Sequence, residues 1–289
     1  MTRRGSRARP ARPRAVRVGG WFAGGVTYLI TFAFVVPVLW MVLLSFEPSE
    51  HILNDPTRLS DLSLDNYRTA LSTLDLPTMY KNTLVLVLIS VPTGLAISVL
   101  AAIAITRMRW RRESLRKANR IYLLAGLAVP VFVLLFPVYR LDVFLNIFGT
   151  YAALVLPYVA VAVPFNILLL TGFLADFPDE LEQAAIIDGA DLWRICWSVI
   201  IPLTRPVLAT LAIFNVIYVW NEYPFAVTLI NSQSMTTVSL GISQFQGVWS
   251  VDYGAMMASA TLVLIPQLLI YIAFQRQVVE GMTFGALKG

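Results

Sequence analysis

Four polar side chains interrupt long apolar stretches of this sequence, and their chemistry suits contact with a polar solute. A carboxylate in a hydrocarbon environment costs a few kcal/mol, so it usually faces a water-filled cavity or a partner group. Amides and carboxylates also hydrogen-bond hydroxyl groups. One interpretation is that these residues line a path through a membrane; the alternative places Glu222 near the external membrane surface, paired with an arginine of another subunit or with water. The four residues are Asn166, Asn215, Asn221 and Glu222.

A second polar group stands in the hydrophilic connection 231–253. Its hydroxyl and amide side chains suit contact with a partner protein or a sugar, although a plain connector has the same composition. Nearby, Trp220 and Tyr223 are suited to stacking on a sugar face and fit an interfacial aromatic belt equally well. The polar residues of the connection are Asn231, Ser232, Gln233 and Ser234.

The segment 177–206 has the composition of a soluble helix pair, although it lies between two apolar runs. Pro178 suits the first position of a helix. Gly189 is predicted to end that helix, because glycine tolerates the left-handed conformation that a C-terminal cap requires. A second short helix is predicted at 191–201, ending at Pro202.

The first of these two helices carries a face of small residues. Ala184 and Ala185 share it with Leu181, so the backbone of another protein has room to approach closely. A helix pair with such a face, held at a membrane surface, predicts docking rather than catalysis.

At these residues the sequence resembles a known family. Gln183-Ala184-Ala185, three residues, Gly189, nine residues and then Val-Ile-Ile-Pro202 are similar to the EAA motif of bacterial ABC-importer permease subunits. The resemblance is closest to the carbohydrate-uptake branch, in particular the shorter, maltose-type second permease. It departs from the family at Gln183, where glutamate is usual. Further similar stretches are 156–158, 187–190, 220–223, 245–247 and 281–289.

The resemblance implies a fold, partners and a coupling site. The fold would be the type I importer permease: all-α and polytopic, with six membrane spans and a cytoplasmic coupling loop at 175–206. The partners would be a second homologous permease, two ATP-binding subunits that hold the ATP and Mg, and an extracytoplasmic solute-binding protein contacted near 231–253. The 281–289 end would tuck against the ATPase pair. ATPase coupling would fall on Leu181, Gln183, Ala184, Ala185, Asp188, Gly189, Ala190 and Pro202.

Composition independently predicts a polytopic membrane protein. The chain of 289 residues is 57% hydrophobic and 13% charged, with a mean hydropathy of +0.71. Residues 1–17, rich in arginine and proline, are predicted to be a disordered cytoplasmic tail, and the resemblance implies that 18–289 would be the permease domain, with a C-terminal tail at 276–289. The six predicted spans are 19–45, 82–105, 119–140, 151–174, 206–230 and 254–275.

The distribution of positive charge predicts the orientation. If both termini are cytoplasmic, 18 of the 22 Lys and Arg residues lie on the cytoplasmic side, as the positive-inside rule requires. The net charge of +5 and the pI near 9.5 then reflect juxtamembrane arginines that contact anionic lipid, not nucleic acid. The predicted location is a cell membrane, with multiple passes.

Several function classes are disfavoured by what the sequence lacks. It has no Gly-x4-Gly-Lys-Ser/Thr loop for ATP phosphates, so no cofactor is expected in this chain and ATP would be bound by partners. Cys196 and His51 are the only cysteine and histidine, which excludes paired-cysteine and paired-histidine metal sites. An enzyme is disfavoured. A secondary transporter remains a weaker alternative, because intramembrane carboxylates are scarce, and a permease for glycerol phosphate or amino acids remains open.

Overall fold

The structure, a computed structural model, describes residues 14–283 except 56, 58, 60, 177–179 and 248, with side chains described within 23–275. In this part of the chain the secondary structure is helical, apart from one isolated bridge between Gln246 and Val251. The α-helices are α1 Arg14–Leu44, α2 Ser49–Asn54, α3 Asp65–Thr73, α4 Leu76–Thr106, α5 Glu113–Ala125, α6 Val131–Phe144, α7 Tyr151–Ala175, α8 Glu180–Ile187, α9 Leu192–Ile195, α10 Ile201–Asn221, α11 Pro224–Leu229, α12 Val238–Ile242 and α13 Tyr253–Thr283.

Long apolar helices confirm the prediction of an all-α, multi-pass membrane protein. Within the described residues, five stretches of helix are long and apolar enough to cross a bilayer, and a sixth crossing is possible if one bent pair of helices counts as a single span. Large apolar side chains on these helices are exposed, as expected for a surface that faces lipid. The five stretches are Ala23–Leu44, Leu76–Thr106, Tyr151–Ala175, Leu192–Asn221 and Tyr253–Gln275.

The third span is not the continuous helix predicted at 119–140. Helices α5 and α6 meet at an angle of 101°. The break falls at Val129, whose backbone is extended (φ −88°, ψ 115°) and which precedes Pro130. A proline disfavours the helical conformation of the residue before it, and this accounts for the bend.

The fifth span also differs from its prediction at 206–230. The helix begins much earlier, at Leu192, and ends at Asn221. The predicted stop at Pro202 is wrong, because a π-helical turn at Cys196–Ile200 joins α9 to α10 and the chain continues through the proline. Proline is tolerated near the first turn of a helical segment, where its missing N–H is not needed.

Both chain ends are more helical than predicted. Helix α1 begins at Arg14, so the last four residues of the 1–17 segment, predicted to be disordered, are helical; residues 1–13 lie outside the described part. Helix α13 continues to Thr283, beyond the predicted end of the last span at 275. The rest of the predicted 276–289 tail, 284–289, lies outside the described residues.

Helices α4 and α7 form the centre of the bundle. They pack against each other, and α10 packs against α4, α7 and α13. Three buried clusters follow one another along this bundle. The cluster nearest α8 includes Ile103, Leu174 and Ile200, and the one at the opposite end includes Met79, Trp220 and Phe245. We call the end of the bundle that carries α8 the docking end, and the other the opposite end.

Candidate functional site

Helix α8 is closed at Gly189 by a hydrogen-bonded C-terminal cap. Gly189 has φ +77°, as the sequence predicts for a residue that ends a helix. Its N–H donates to the carbonyl of Ile186 at 3.0 Å, and the N–H of Ala190 donates to the carbonyl of Ala185 at 2.9 Å. This pair of bonds is the Schellman arrangement, which needs a left-handed residue at this point. Asp191 then starts α9, because its Oδ1 accepts from the N–H of Arg194 at 2.8 Å.

The two small residues of the predicted docking face point in different directions. Ala185 and Ala190 are half-buried and pack against the cluster at the docking end. Ala184 is exposed. Neighbouring helix positions lie about 100° apart, so one of the pair faces the chain's own bundle while the other faces outward. The single shared face predicted for Ala184 and Ala185 is therefore wrong.

An apolar surface is left uncovered beside Ala184. Ile187 is 85% exposed, Trp193 is 66% exposed and Ile186 is 60% exposed. Leu181, Gln183, Asp188 and Gly189 are exposed as well, whereas Pro202 is half-buried in α10. A contiguous apolar patch at the end of a bundle, rimmed by polar residues, is typical of a protein interface. We call the exposed residues of α8 and α9 the docking surface.

An ion pair ties α8 to two membrane helices. Nε of Arg107 lies 2.9 Å from Oε1 of Glu182, and the two side chains are 9% and 20% exposed. Arg107 follows the last residue of α4, and its Nη2 also donates to the carbonyl of Leu174 near the end of α7, at 2.8 Å. One guanidinium thus joins α8, α4 and α7. The sequence alone does not indicate this pairing, because Arg107 is one of several basic residues in the 106–120 segment.

Two of the predicted path residues bond to each other inside the bundle. Nδ2 of Asn215 on α10 donates to Oδ1 of Asn166 on α7 at 3.2 Å, and both residues are buried. Buried amides are stable when their polar atoms find partners, and this bond supplies one partner for each residue. The pair therefore links two membrane helices.

Glu222 is enclosed by donors from its own chain. It is 5% exposed, and its Oε1 accepts from the N–H of Phe225 at 2.7 Å. Its Oε2 accepts from the N–H of Ala226 at 3.1 Å and from the hydroxyl of Tyr158 at 2.7 Å. Free N–H groups at a helix start favour a carboxylate, so Glu222 caps α11 after the chain leaves α10. The arrangement favours a role in holding this break in place over direct contact with a solute.

Asn221, the neighbour of Glu222, lines an open cavity at the opposite end. Asn221 is exposed, while its Nδ2 donates to the carbonyl of Ile217 at 2.8 Å. The cavity has a volume of about 330 Å³ and combines aromatic, amide and hydroxyl groups. Such a lining is suited to a ligand with many hydroxyl groups. We call it the outer cavity; its lining residues are Trp220, Asn221, Tyr223, Ser239, Ile242, Ser243, Gln246, Met256 and Val263.

The predicted partner-contact residues lie on the surface at the same end of the bundle as this cavity. Asn231, Ser232, Gln233 and Ser234 are all exposed. The loop is nevertheless fixed, because Nδ2 of Asn82 on α4 donates to the carbonyls of Ser234 and Thr236 at 2.9 and 3.0 Å. A fixed, exposed polar loop is suited to recognition by a partner. Within the described residues, no group of three or more His, Cys, Asp or Glu side chains is placed to hold a metal.

Comparison with known proteins identifies the class to which this geometry belongs. Residues 94–284 match the family described as the binding-protein-dependent transport system inner membrane component. Because the match covers more than half of the chain, the chain belongs to this family. Its members are permease subunits of ABC importers, so the protein is a membrane-embedded transport component and not an enzyme. The predicted family resemblance is confirmed.

Individual relatives align along nearly the whole chain. The ORF2 protein of Caldicellulosiruptor sp. (strain Rt8B.4) is 38% identical over 88% of this chain and 92% of its own length. The trehalose/maltose transport system permease protein MalG of Thermococcus litoralis is 32% identical over 90% of this chain and 94% of its own. One chain of a solved bacterial ABC transporter, involved in import of the acidic polysaccharide alginate, has a similar structure, with a TM-score of 0.74 to this chain. That chain is 20% identical, and the match covers 93% of this chain and 99% of that one; it supports the fold.

Proposed function

We propose that this chain is the second-permease-type subunit of an ABC importer for a sugar or oligosaccharide. The observation that carries the proposal is the docking surface on α8 and α9, an exposed apolar helix pair held against the membrane helices of a permease fold. Such a surface is suited to receiving another subunit.

Energy would come from two separate ATP-binding subunits docked at this surface. The sequence has no phosphate-binding loop, so ATP and Mg would be bound by those partners. Movement of α8 would reach α4 and α7 through Arg107, which contacts Glu182 and the carbonyl of Leu174. Packed helices and ion pairs are the kind of contiguous contact through which such movement would be transmitted.

The proposed solute class rests on relatives and on the outer cavity. One relative is named for trehalose and maltose, and the structurally similar transporter is named for alginate, so both act on carbohydrates. In this chain the outer cavity presents Tyr223, which is exposed, beside Asn221 and Gln246, whereas Trp220 borders the cavity but is only 2% exposed. Aromatic faces and amides are the groups that recognise a sugar ring and its hydroxyls. Asn221 would line the path. Asn166, Asn215 and Glu222 would instead stabilise the packing of the helices that surround it.

The remaining partners are proposed from the orientation and from the family. With both termini in the cytoplasm, the docking end is cytoplasmic and the outer cavity faces outward, in agreement with the positive-inside rule. The loop containing Asn231, Ser232, Gln233 and Ser234 would then meet an extracytoplasmic solute-binding protein. A second, homologous permease subunit would complete the path.

The experiment measures uptake by the assembled transporter in proteoliposomes. Radiolabelled maltose, trehalose, glycerol 3-phosphate and an amino acid are offered with the cognate binding protein and internal ATP. We expect saturable, ATP-dependent uptake of a sugar, with the half-saturation concentration raised fivefold or more by Asn221→Ala and by Gln246→Ala. The matched control, Asn119→Ala, alters an exposed amide of α5 away from the cavity and should leave uptake unchanged.

Two outcomes would contradict the proposal. Uptake of glycerol 3-phosphate or the amino acid in place of the sugars would assign another solute class. Unchanged sugar kinetics in both cavity variants would remove the outer cavity from the path.

A further inference from the structure

A second cavity, at the docking end, is lined mainly by positive charge. It has a volume of about 280 Å³ and lies where α4 and α7 end and α5 passes beside them. Its lining includes four cationic side chains and one carboxylate. The charged residues are Arg107, Arg116, Lys117, Arg120 and Glu113.

The charges of this cavity are only partly compensated within the chain. Glu113 accepts from Arg116 at 2.6 Å, and Arg107 is turned toward Glu182. In the described part of the chain, neither Lys117 nor Arg120 forms an ion pair. Two cations therefore remain to attract an anion into the cavity.

The helix that supplies these cations enters the membrane with its basic residues first and exposes apolar side chains to lipid. Within α5 no residue is buried, and the apolar side chains of Leu115, Ile121 and Tyr122 are 50%, 69% and 77% exposed. Their neighbours along the same helix are basic. The residues that line the cavity belong to the first part of α5, level with the ends of α4 and α7, whereas Gly126 at the other end of the helix lies against Pro164 in the middle of α7. The basic residues therefore lie where lipid headgroups are expected, and the apolar residues that follow them lie deeper, among the acyl chains.

We propose that this cavity binds the phosphate headgroup of an anionic lipid from the adjacent leaflet. Basic pockets between membrane helices on the cytoplasmic side are suited to such headgroups. Lys117 and Arg120 would contact the phosphate, while the exposed apolar side chains of α5 would contact the acyl chains. A free phosphate ion would use the cations alone and would leave those apolar side chains without a partner, so the lipid accounts for more of the surface.

The site has a steric test that leaves charge unchanged. Gly172 on α7 lines the cavity, and a Cβ at this position would meet no atom within 4 Å. Gly172→Leu should therefore fill the cavity without disturbing the backbone. It complements the charge variant Lys117→Gln/Arg120→Gln, because the two remove the site by independent means.

The measurement is the amount of phosphatidylglycerol retained by the purified, assembled transporter in detergent, determined by mass spectrometry. We expect the charge variant and Gly172→Leu each to lower retention at least fivefold relative to the natural chain. The control, Arg109→Gln/Arg111→Gln, removes the same charge from two exposed arginines that do not line the cavity, and should change retention less than twofold.

The other outcomes overturn the proposal. Equal retention in all variants would mean that no site exists here. Equal loss in the charge variant and the control would mean a general surface attraction. Release of the lipid by millimolar inorganic phosphate, followed by phosphate binding with the same dependence on Lys117 and Arg120, would make this a free-anion site. Gly172→Leu keeps the test decisive if the charge variant fails to assemble, and uptake of solute plays no part in the readout.

Discussion

Breaking the ion pair between Arg107 and Glu182 should separate ATP hydrolysis from transport. Glu182→Gln removes one charge and leaves a guanidinium that is only 9% exposed, still donating to the carbonyl of Leu174. Exposed pairs contribute about 0.2–1 kcal/mol, and loss of one partner from a buried pair costs about 3–5 kcal/mol. Since Glu182 is 20% exposed, we expect an intermediate loss of about 1–3 kcal/mol, which corresponds to a roughly 5- to 150-fold weaker attachment of α8 to the membrane helices.

The assay compares ATP hydrolysis and solute uptake in the same proteoliposomes. Glu182→Gln should lower the number of solute molecules taken up per ATP hydrolysed at least fivefold, while the subunits remain assembled. Glu180→Gln is the matched control, because Glu180 is an exposed carboxylate on the same helix. The exchanged pair Arg107→Glu/Glu182→Arg should recover part of the coupling.

The reasoning would be refuted by normal coupling in Glu182→Gln. It would also be refuted if Glu180→Gln lowered coupling equally, because the effect would then follow the total charge of α8 and not the ion pair.

Two further predictions concern the opposite end and the orientation. Glu222→Gln should lower the thermal stability of the purified complex, by about 1–3 kcal/mol for a buried group that loses charged hydrogen bonds, and Tyr158→Phe should have a smaller effect of the same sign; unchanged melting in both would show that the cap on α11 is dispensable. In a Cys196→Ser background, Gln244→Cys should react with an impermeant thiol reagent from outside intact cells, whereas Ser114→Cys should not. Reversed labelling would contradict the orientation.

Local backbone chemistry was predictable from the sequence where a single residue decides the conformation. Gly189 is the clearest example, because a left-handed cap favours glycine and the residue has φ +77°. Hydropathy likewise locates the long membrane helices. Hydropathy does not indicate the direction of the helix axis, so it does not predict the bend before Pro130 or the break in the helix at Glu222.

Contacts between residues that are distant in the sequence could not be predicted from sequence patterns. Arg107 and Glu182 are far apart in the sequence, and a charged residue of either type is usually exposed to solvent. Only the folded structure, which brings α4 next to α8, shows that the two side chains form an ion pair. Helical periodicity also does not state which face meets the chain's own bundle. For this reason Ala185 was assigned to the docking face, although it packs inward.

The central claim is that α8 and α9 receive the ATP-binding subunits, and Ile187→Glu tests it most directly. Ile187 is 85% exposed and has no structural role that the change would disturb inside the described part of the chain. Burying an isoleucine at an interface contributes about 1.5–3 kcal/mol, and a buried unpaired carboxylate adds a further cost. The measurement is the amount of ATP-binding subunit that copurifies with the tagged chain.

Trp249→Glu serves as the control, because Trp249 is 96% exposed but lies at the opposite end. The account predicts that Ile187→Glu loses the ATP-binding subunits by tenfold or more while membrane insertion stays normal, and that Trp249→Glu retains them. Full retention of the ATP-binding subunits by Ile187→Glu would contradict the account.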